Sequence, residues 1–265
     1  MPKWKLVIEY EGTRYRGWQE QINARSVQGE LRRAAEAYLG HKVEIAGSGR
    51  TDAGVHALCQ IAHLRSSKTA KAAILRQEIN DRLPSDINVR ELAEVAARFH
   101  ARHHAEERFY LYQIAAERRA FGKHFVWWIK DRLNVQLMSE AFRLFLGKHD
   151  FSAYREKAED PASTLVDVTC CEMAVDGNLI LLRIGASHFL WKMVRRIVGV
   201  LVEVGRGKLR LQDVTRLKAE DIAPLTAPPS GLFLEYVRYS GDEPPGPLVP
   251  AFTFRQGGKT TNSNQ

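Results

Sequence analysis

Ser48-Gly49-Arg50-Thr51-Asp52-Ala53-Gly54-Val55-His56-Ala57 is the stretch on which the fold and chemistry of this chain turn. It falls between two strand-like runs, Val43–Ala46 and Leu58–Leu64. A Gly-rich loop between strands carries its side chains at the rim of a rigid sheet. Gly49 and Gly54 permit backbone angles closed to other residues, or the close approach of a ligand. Asp52 between them has the chemistry of a nucleophile or general base, and Arg50 and His56 add a cation and a polar ring. The same letters also fit a tight turn in which Asp52 bonds its own backbone.

Upstream, Trp4, Leu6, Ile8 and Tyr10 alternate with Lys5, Val7 and Glu9, the pattern of a half-buried strand. Ser26 is a candidate N-cap for a helix with Val27, Leu31, Ala34, Ala35 and Tyr38 on one stripe, and Gly40 its stop. Downstream, Lys71–Leu83 reads as a helix ended by Pro84, and Ile87–Val95 as extended chain. A second unit begins near Arg108, with a strand over Phe109–Ala115 and a helix over Val135–Leu146. Thr164–Val175 and Leu179–Ala186 form a predicted hairpin around Asp176-Gly177. Leu190, Met193, Val194, Ile197, Val198, Leu201 and Val202 make one helical stripe ending at Gly205. Leu211–Lys218 is a short helix and Leu232–Tyr239 a last strand.

Hairpins between strands argue against a purely parallel sheet. The predicted fold class is α+β: a mixed, largely antiparallel sheet flanked by helices and built as two similar halves. Residues 1–105 form the half carrying the Asp52 loop, residues 106–240 the second half, and residues 241–265 a Pro-, Gly- and polar-rich tail. Its last eight residues, Gly258–Gln265, lack apolar groups and are expected to be disordered.

Of the 265 residues, 45% are hydrophobic, enough for a sizeable core, and no apolar run is long enough to cross a bilayer. The N-terminus shows no signal-peptide pattern. Cys59, Cys170 and Cys171 make no disulfide framework, which points to the reducing cytoplasm. The net charge of +8 favours a polyanionic partner. Basic residues cluster at Arg14, Arg16 and Arg25, at Arg98, Arg102, Arg118, Arg119, Lys123 and His124, and at Arg206, Lys208 and Arg210. Such clusters suit either plain solvated surface or an RNA cleft. His100, His103 and His104, with His56, Cys59 and His63, do not follow a standard metal-ligand spacing, so no metal is expected. No phosphate loop or dinucleotide fingerprint is present, so no cofactor is expected either.

Gly49-Arg50-Thr51-Asp52-Ala53-Gly54-Val55-His56 resembles the catalytic motif of the TruA family of tRNA pseudouridine synthases. Five further segments resemble family motifs in family order. They are Tyr15–Gln19 with Ser26-Val27-Gln28, Phe99–Arg102, Arg108–Tyr112, Phe189–Gly199 and Ala227–Leu232. One short motif is weak; six in order over residues 4–239 are specific. The resemblance implies Asp52 as catalytic aspartate, Tyr110 as the tyrosine that stacks on the target uracil, and Arg195 as the partner of the aspartate. It implies Arg50 as a residue that helps displace the base, and Leu232 as part of a C-terminal pocket motif. It also implies a central RNA-binding cleft, a homodimer, tRNA as partner, and uridines 38 to 40 of the anticodon stem-loop as substrates. Cys59 and Phe109 depart from the family, standing where a glycine and a small polar residue are common. A silent RNA-binding protein on the same fold and a metal-dependent nuclease using Asp52 and nearby histidines are the rival readings.

Overall fold

The computed structural model describes residues 1–156 and 163–252. The predicted disorder of Gly258–Gln265 lies outside the described residues. The first strand, β1 (Lys3–Tyr10), buries Trp4, Leu6, Ile8 and Tyr10, as its alternation requires. Helix α1 (Val27–Leu39) begins where the Ser26 hydroxyl accepts the Gly29 amide at 3.3 Å and stops at Gly40, whose φ of 73° is left-handed. Then come β2 (Glu44–Gly47), β3 (His56–Arg65), α2 (Ala72–Asn80) and β4 (Ile87–Glu94). The chain continues through β5 (Ala105–Ala115), β6 (Trp127–Trp128), α3 (Val135–Arg143), β7 (Gly147–Asp150) and the β8–β9 hairpin (Leu165–Asp176, Leu179–Ala186). Helices α4 (Met193–Gly205) and α5 (Ala219–Ile222) precede β10 (Leu232–Tyr239).

Among the described residues all ten strands join one sheet, ordered β4-β1-β3-β10-β5-β9-β8-β7, with β2 on β3 and β6 on β5. Every pairing is antiparallel except β3 with β10 and β5 with β6. The mixed, mainly antiparallel α+β fold is thus as the sequence predicts. The last strand closes the sheet: β10 inserts between β3 and β5, setting Phe233 beside His56 and Leu234 beside Ala57. The strand that starts at the end of the Asp52 loop is thereby locked to the strand that carries Tyr110.

One face of the sheet holds the main core. Alternate residues of β1 and β5, including Tyr110, Tyr112 and Ile114, pack there with the apolar stripes of α1 to α4. The opposite face buries a smaller cluster of Leu111, Ala115, Leu179, Leu181 and Phe233, covered by Phe125, Leu248 and Ala251. The cover is tied down: the Ala251 amide donates to the Gln113 side chain at 2.6 Å, and Arg183 donates to the carbonyls of Gly246 and Pro247. Arg183 is itself buried and pairs with Glu235 and Glu172, so its charge is matched within the sheet.

Several element bounds differ from the sequence reading, each for a local reason. Helix α2 ends at Asn80 rather than Leu83, where the Asn80 side chain turns to bond both the N–H and C=O of Val89. Helix α3 ends at Arg143, and Leu144–Leu146 tighten into three-residue turns. The stripe beginning at Leu190 becomes helix only at Met193, because Lys192 adopts φ 63°. Leu211–Lys218 is a 3-10 segment over Leu211–Arg216, followed by the separate α5. Strands β6 and β7 were not legible: one has two residues, and the other is exposed throughout and carries no alternation.

Candidate active site

The loop between β2 and β3 is gripped from several elements. The Ser48 amide donates to the Ile61 carbonyl at 2.7 Å and its hydroxyl to Gln60 at 2.8 Å, while Gln60 returns a bond to the Gly49 carbonyl at 3.1 Å. The Tyr10 and Thr51 hydroxyls lie 2.8 Å apart. The Thr51 carbonyl accepts from Trp18, and the Gly54 amide donates to Tyr15. Gly17 and Gly54 have φ of 94° and 79°. A Cβ on Gly17 would sit 2.3 Å from the Thr51 carbonyl oxygen, so the Tyr15–Gln19 segment closes on the loop only because it carries glycine there.

His56 anchors the far end of this loop and is not a free acid or base. Its Nδ1 accepts the Gly12 amide at 3.0 Å, which leaves Nε2 protonated and donating to the His124 carbonyl at 2.8 Å. The ring stacks on Phe233, and burial pushes its pKa below the usual histidine value. It is a neutral, two-sided tether.

So held, the loop directs the Asp52 side chain away from its own backbone. The turn itself is closed by Val55 N–H donating to the Asp52 carbonyl at 3.1 Å. The carboxylate Oδ2 instead accepts from Arg195 Nη1 at 3.4 Å. The turn-only reading of Asp52 therefore fails for the side chain. The carboxyl is part-buried rather than free in solvent. The side chain keeps 24% of its surface, and burial raises its pKa, opposed by Arg195, Lys192 and the Trp191 side chain.

Arg195 lies one turn into α4, with its side chain only 14% exposed. Its Nε donates to the Ala227 carbonyl at 2.7 Å, and the Ala227 amide returns to the Arg195 carbonyl at 3.0 Å. The Ala227–Leu232 segment thus fixes the guanidinium. Before α4 the chain passes through Trp191, half-exposed, and Lys192, the only non-glycine residue with positive φ among the described residues. Glu156 holds this strained corner: its carboxylate pairs with Lys192 and Arg196, and its amide donates to the Trp191 carbonyl. Trp191, Lys192 and Glu156 were not singled out from sequence. A left-handed lysine leaves no compositional trace, and Glu156 lies far from both partners in the chain.

Tyr110 stands on β5 with its ring edge-on to Phe189, centroids 5.1 Å apart. It is nearly buried, and its phenol pKa is raised by burial and by the nearby Tyr10 and Asp52. It is both a core tyrosine and a neighbour of the Asp52 carboxylate. Leu232 opens β10 opposite Tyr112 and is buried in the main core. Arg50 points outward, its Nε donating to Gln19 at 3.2 Å, and stays exposed. Asp52, Arg195 and Tyr110 are thus brought together, with Arg50 at the rim of the same loop. The histidines gather elsewhere. The His63 and His100 rings lie 4.8 Å apart and those of His100 and His103 4.2 Å. The Nδ1 atoms of His63, His100 and His104 are occupied by backbone amides. Among the described residues no group of three His, Cys, Asp or Glu side chains is arranged to hold a metal.

The departures Cys59 and Phe109 lie on β3 and β5. Phe109 is accommodated by Gly185, its partner across β5 and β9, where a Cβ would lie 2.4 Å from the phenylalanine ring. Cys59 is part-buried on β3, its thiol pKa pushed up by burial.

With this geometry in place, comparison with known proteins assigns the class. A family model described as tRNA pseudouridine synthase matches residues 6–104 and 141–240. A tRNA pseudouridine synthase A of Citrifermentans bemidjiense is 41% identical over 241 residues, covering 89% of this chain and 96% of the relative. A tRNA pseudouridine synthase A of Clostridium botulinum is 39% identical over 240 residues, covering 89% and 98%. A chain from a solved Cbf5–Nop10–Gar1 complex aligns over 75% of this chain and 54% of its own at 11% identity, and its TM-score of 0.32 adds nothing to the assignment. The chain belongs to the tRNA pseudouridine synthase family and is an isomerase. Its resemblance to the TruA proteins extends over most of its length. No helix among the described residues is long and apolar enough to cross a membrane.

Proposed function

We propose that this isomerase converts uridine to pseudouridine at positions 38 to 40 of the tRNA anticodon stem-loop, with Asp52 as the catalytic carboxylate. The observation that carries the proposal is the Asp52–Arg195 pair: a part-buried carboxylate, aligned by a fixed guanidinium, with Tyr110 near enough for its phenol to feel the carboxylate charge. The reaction breaks the bond from C1′ to N1, rotates the uracil and joins C1′ to C5. The C5 proton leaves and N1 gains one, so no redox partner or transferred group is needed. A carboxylate serves this chemistry at C6, at C1′ or at the 2′ hydrogen. Arg195 holds Asp52 ionised and oriented against the cost of burial. The target base must leave its stack to expose C5 and C1′. Tyr110 receives the flipped uracil on its ring, Arg50 at the loop rim takes its place in the stack, and Leu232 lines the pocket floor.

The same reading takes residues 1–105 and 106–240 as two halves flanking an RNA-binding cleft, and the two separate family matches support that division. Exposed Arg14, Arg16, Arg50, Arg98 and Arg102 supply charge for the tRNA backbone. The chain works in the cytoplasm as a homodimer, so sedimentation should give about twice its 30.1 kDa. The deciding experiment incubates purified protein with unmodified tRNA and maps pseudouridine by position. Product confined to positions 38 to 40 supports the proposal. Product elsewhere refutes the site, and no product refutes the activity.

A further inference from the structure

Arg108 is an arginine that the chemistry above leaves without a role, and its side-chain hydrogen bonds all go to backbone carbonyls. It stands two residues before Tyr110 on β5, on the same face of the sheet. Nη1 donates to the carbonyls of Ala105 at 3.0 Å and Ser187 at 2.9 Å. Nη2 donates to the carbonyls of Ser48 at 3.0 Å and Arg102 at 2.7 Å. Two Nη atoms carry four hydrogens, and all four are spent. No carboxylate pairs with it among the described residues. A guanidinium taken from water without a counter-ion is retained only where several acceptors replace its hydration.

The four acceptors lie on separate parts of the chain. Ser48 is the first residue of the Asp52 loop and is already bonded to β3 through Ile61 and Gln60. Arg102 and Ala105 bound the turn that leads into β5. Ser187 follows β9, two residues before Phe189, the ring against Tyr110. One side chain therefore ties the stem of the Asp52 loop to the strand of Tyr110 and to the segment that backs its ring.

We propose that Arg108 is a positioning residue, a clamp that sets the Asp52 loop against Tyr110 by binding four backbone carbonyls, and that it does not contact RNA phosphate. This rests on the assignment of Asp52 and Tyr110 to the reaction. A small displacement of a reacting group costs about 10²-fold in rate, so the clamp acts on the chemical step rather than on binding.

Arg108→Lys separates the two roles. Lysine keeps the charge that a phosphate contact needs, but its three donors on one nitrogen cannot span the fork. Arg108→Gln loses both. Single-turnover pseudouridine formation is measured at saturating tRNA for wild type and both variants, beside tRNA affinity at several salt concentrations. Deuterium uptake of the 47–55 segment is compared with that of α3 in each protein. The clamp predicts a rate loss of about 10- to 100-fold in both variants. It also predicts unchanged affinity and salt slope, and faster exchange confined to the Asp52 loop. Where a variant melts too low for the rate assay, loop exchange relative to α3 below the melt carries the decision. Wild-type rate in Arg108→Lys, an effect on affinity and salt slope alone, or loop exchange equal to wild type would each overturn it. Failure of wild-type protein to form pseudouridine would refute the assignment of the reaction itself, separately from the clamp.

Discussion

Arg195 and Asp52, 143 residues apart in sequence, meet at 3.4 Å because two unrelated pieces of chain fix them independently. The loop of Asp52 is bonded to β1, β3 and the Tyr15–Gln19 segment, while Arg195 is held by Ala227 and by the corner at Lys192. The backbone at each residue is placed without the other, and only the carboxylate takes its orientation from the pair. Substituting either should thus leave a folded protein.

Arg195→Gln tests the electrostatic half of the arrangement. Burial raises the Asp52 pKa, and Arg195 is the largest influence lowering it. Removing the guanidinium moves the carboxyl pKa further upward, so the ionised form is lost at a higher pH as the solution is acidified. The acid limb of the single-turnover rate should shift toward neutrality, with a reduced plateau above it. An acid limb in the same place as wild type would mean that Asp52 is not the group that titrates.

A second pH effect concerns stability. The His63 ring is buried at the Phe99–His104 turn, accepting the Ala101 amide at 3.2 Å, and burial lowers its pKa to about 4. Neighbouring His100 and Lys3 push it the same way. The unfolded chain takes up a proton on His63 near pH 6.5 and the folded chain does not until about pH 4. Stability from this site is therefore complete above about pH 6.5 and is lost as pH falls toward 4, by on the order of 3 kcal/mol. His56 adds to the loss with the same sign. Thermal melts of His63→Asn should fall less steeply over this range than those of wild type. Parallel curves would assign the acid sensitivity elsewhere.

The departure at Phe109 gives a packing test. Gly185→Ala drives a methyl against the Phe109 ring and should destabilise the protein by about 1–3 kcal/mol. With Phe109→Ser in place only the 3.0 Å approach to Cys170 Cβ remains, so the same alanine should cost clearly less. A double-mutant cycle from urea melts reads the coupling directly. Additive losses would mean that Gly185 is there for backbone reasons rather than for the ring.

Most of the sheet was legible because its strands alternate or end at clear turn residues. The β9 and β10 bounds, Leu179–Ala186 and Leu232–Tyr239, were read without error, and Ser26 and Gly40 cap α1 as expected. The rest depended on contacts that sequence does not carry. Exposed β7 has no apolar face to betray it, and α4 starts late because one lysine takes a left-handed turn. Asp52, Arg195 and Tyr110 were nominated as site residues only through their motifs. Outside those motifs nothing in the local pattern marks Arg195 on its helix or Tyr110 on its strand. His56 stood out in its motif as a polar ring, but two backbone groups 44 and 68 residues away in sequence make it a tether.

Asp52→Asn separates chemistry from architecture. The side chain keeps its size, and the backbone turn is unaffected because it is closed by the Asp52 carbonyl rather than by the carboxylate. Asparagine lacks the charge that a nucleophile or base requires, so pseudouridine formation should fall by orders of magnitude. Stability moves the other way. Burial raises the Asp52 pKa, so the ionised form costs more in the folded chain than in the unfolded one. Neutral asparagine removes that penalty but gives up the pair with Arg195, which keeps its bond to Ala227. The melting temperature should be equal to or above that of wild type, as expected where a functional group is held at a cost to the fold. tRNA affinity should persist, since phosphate contacts elsewhere supply most of it. The measurements are a single-turnover assay, a tRNA titration and a thermal melt on the same preparation. Near wild-type turnover in folded Asp52→Asn protein would remove Asp52 from the reaction, whatever the melt shows.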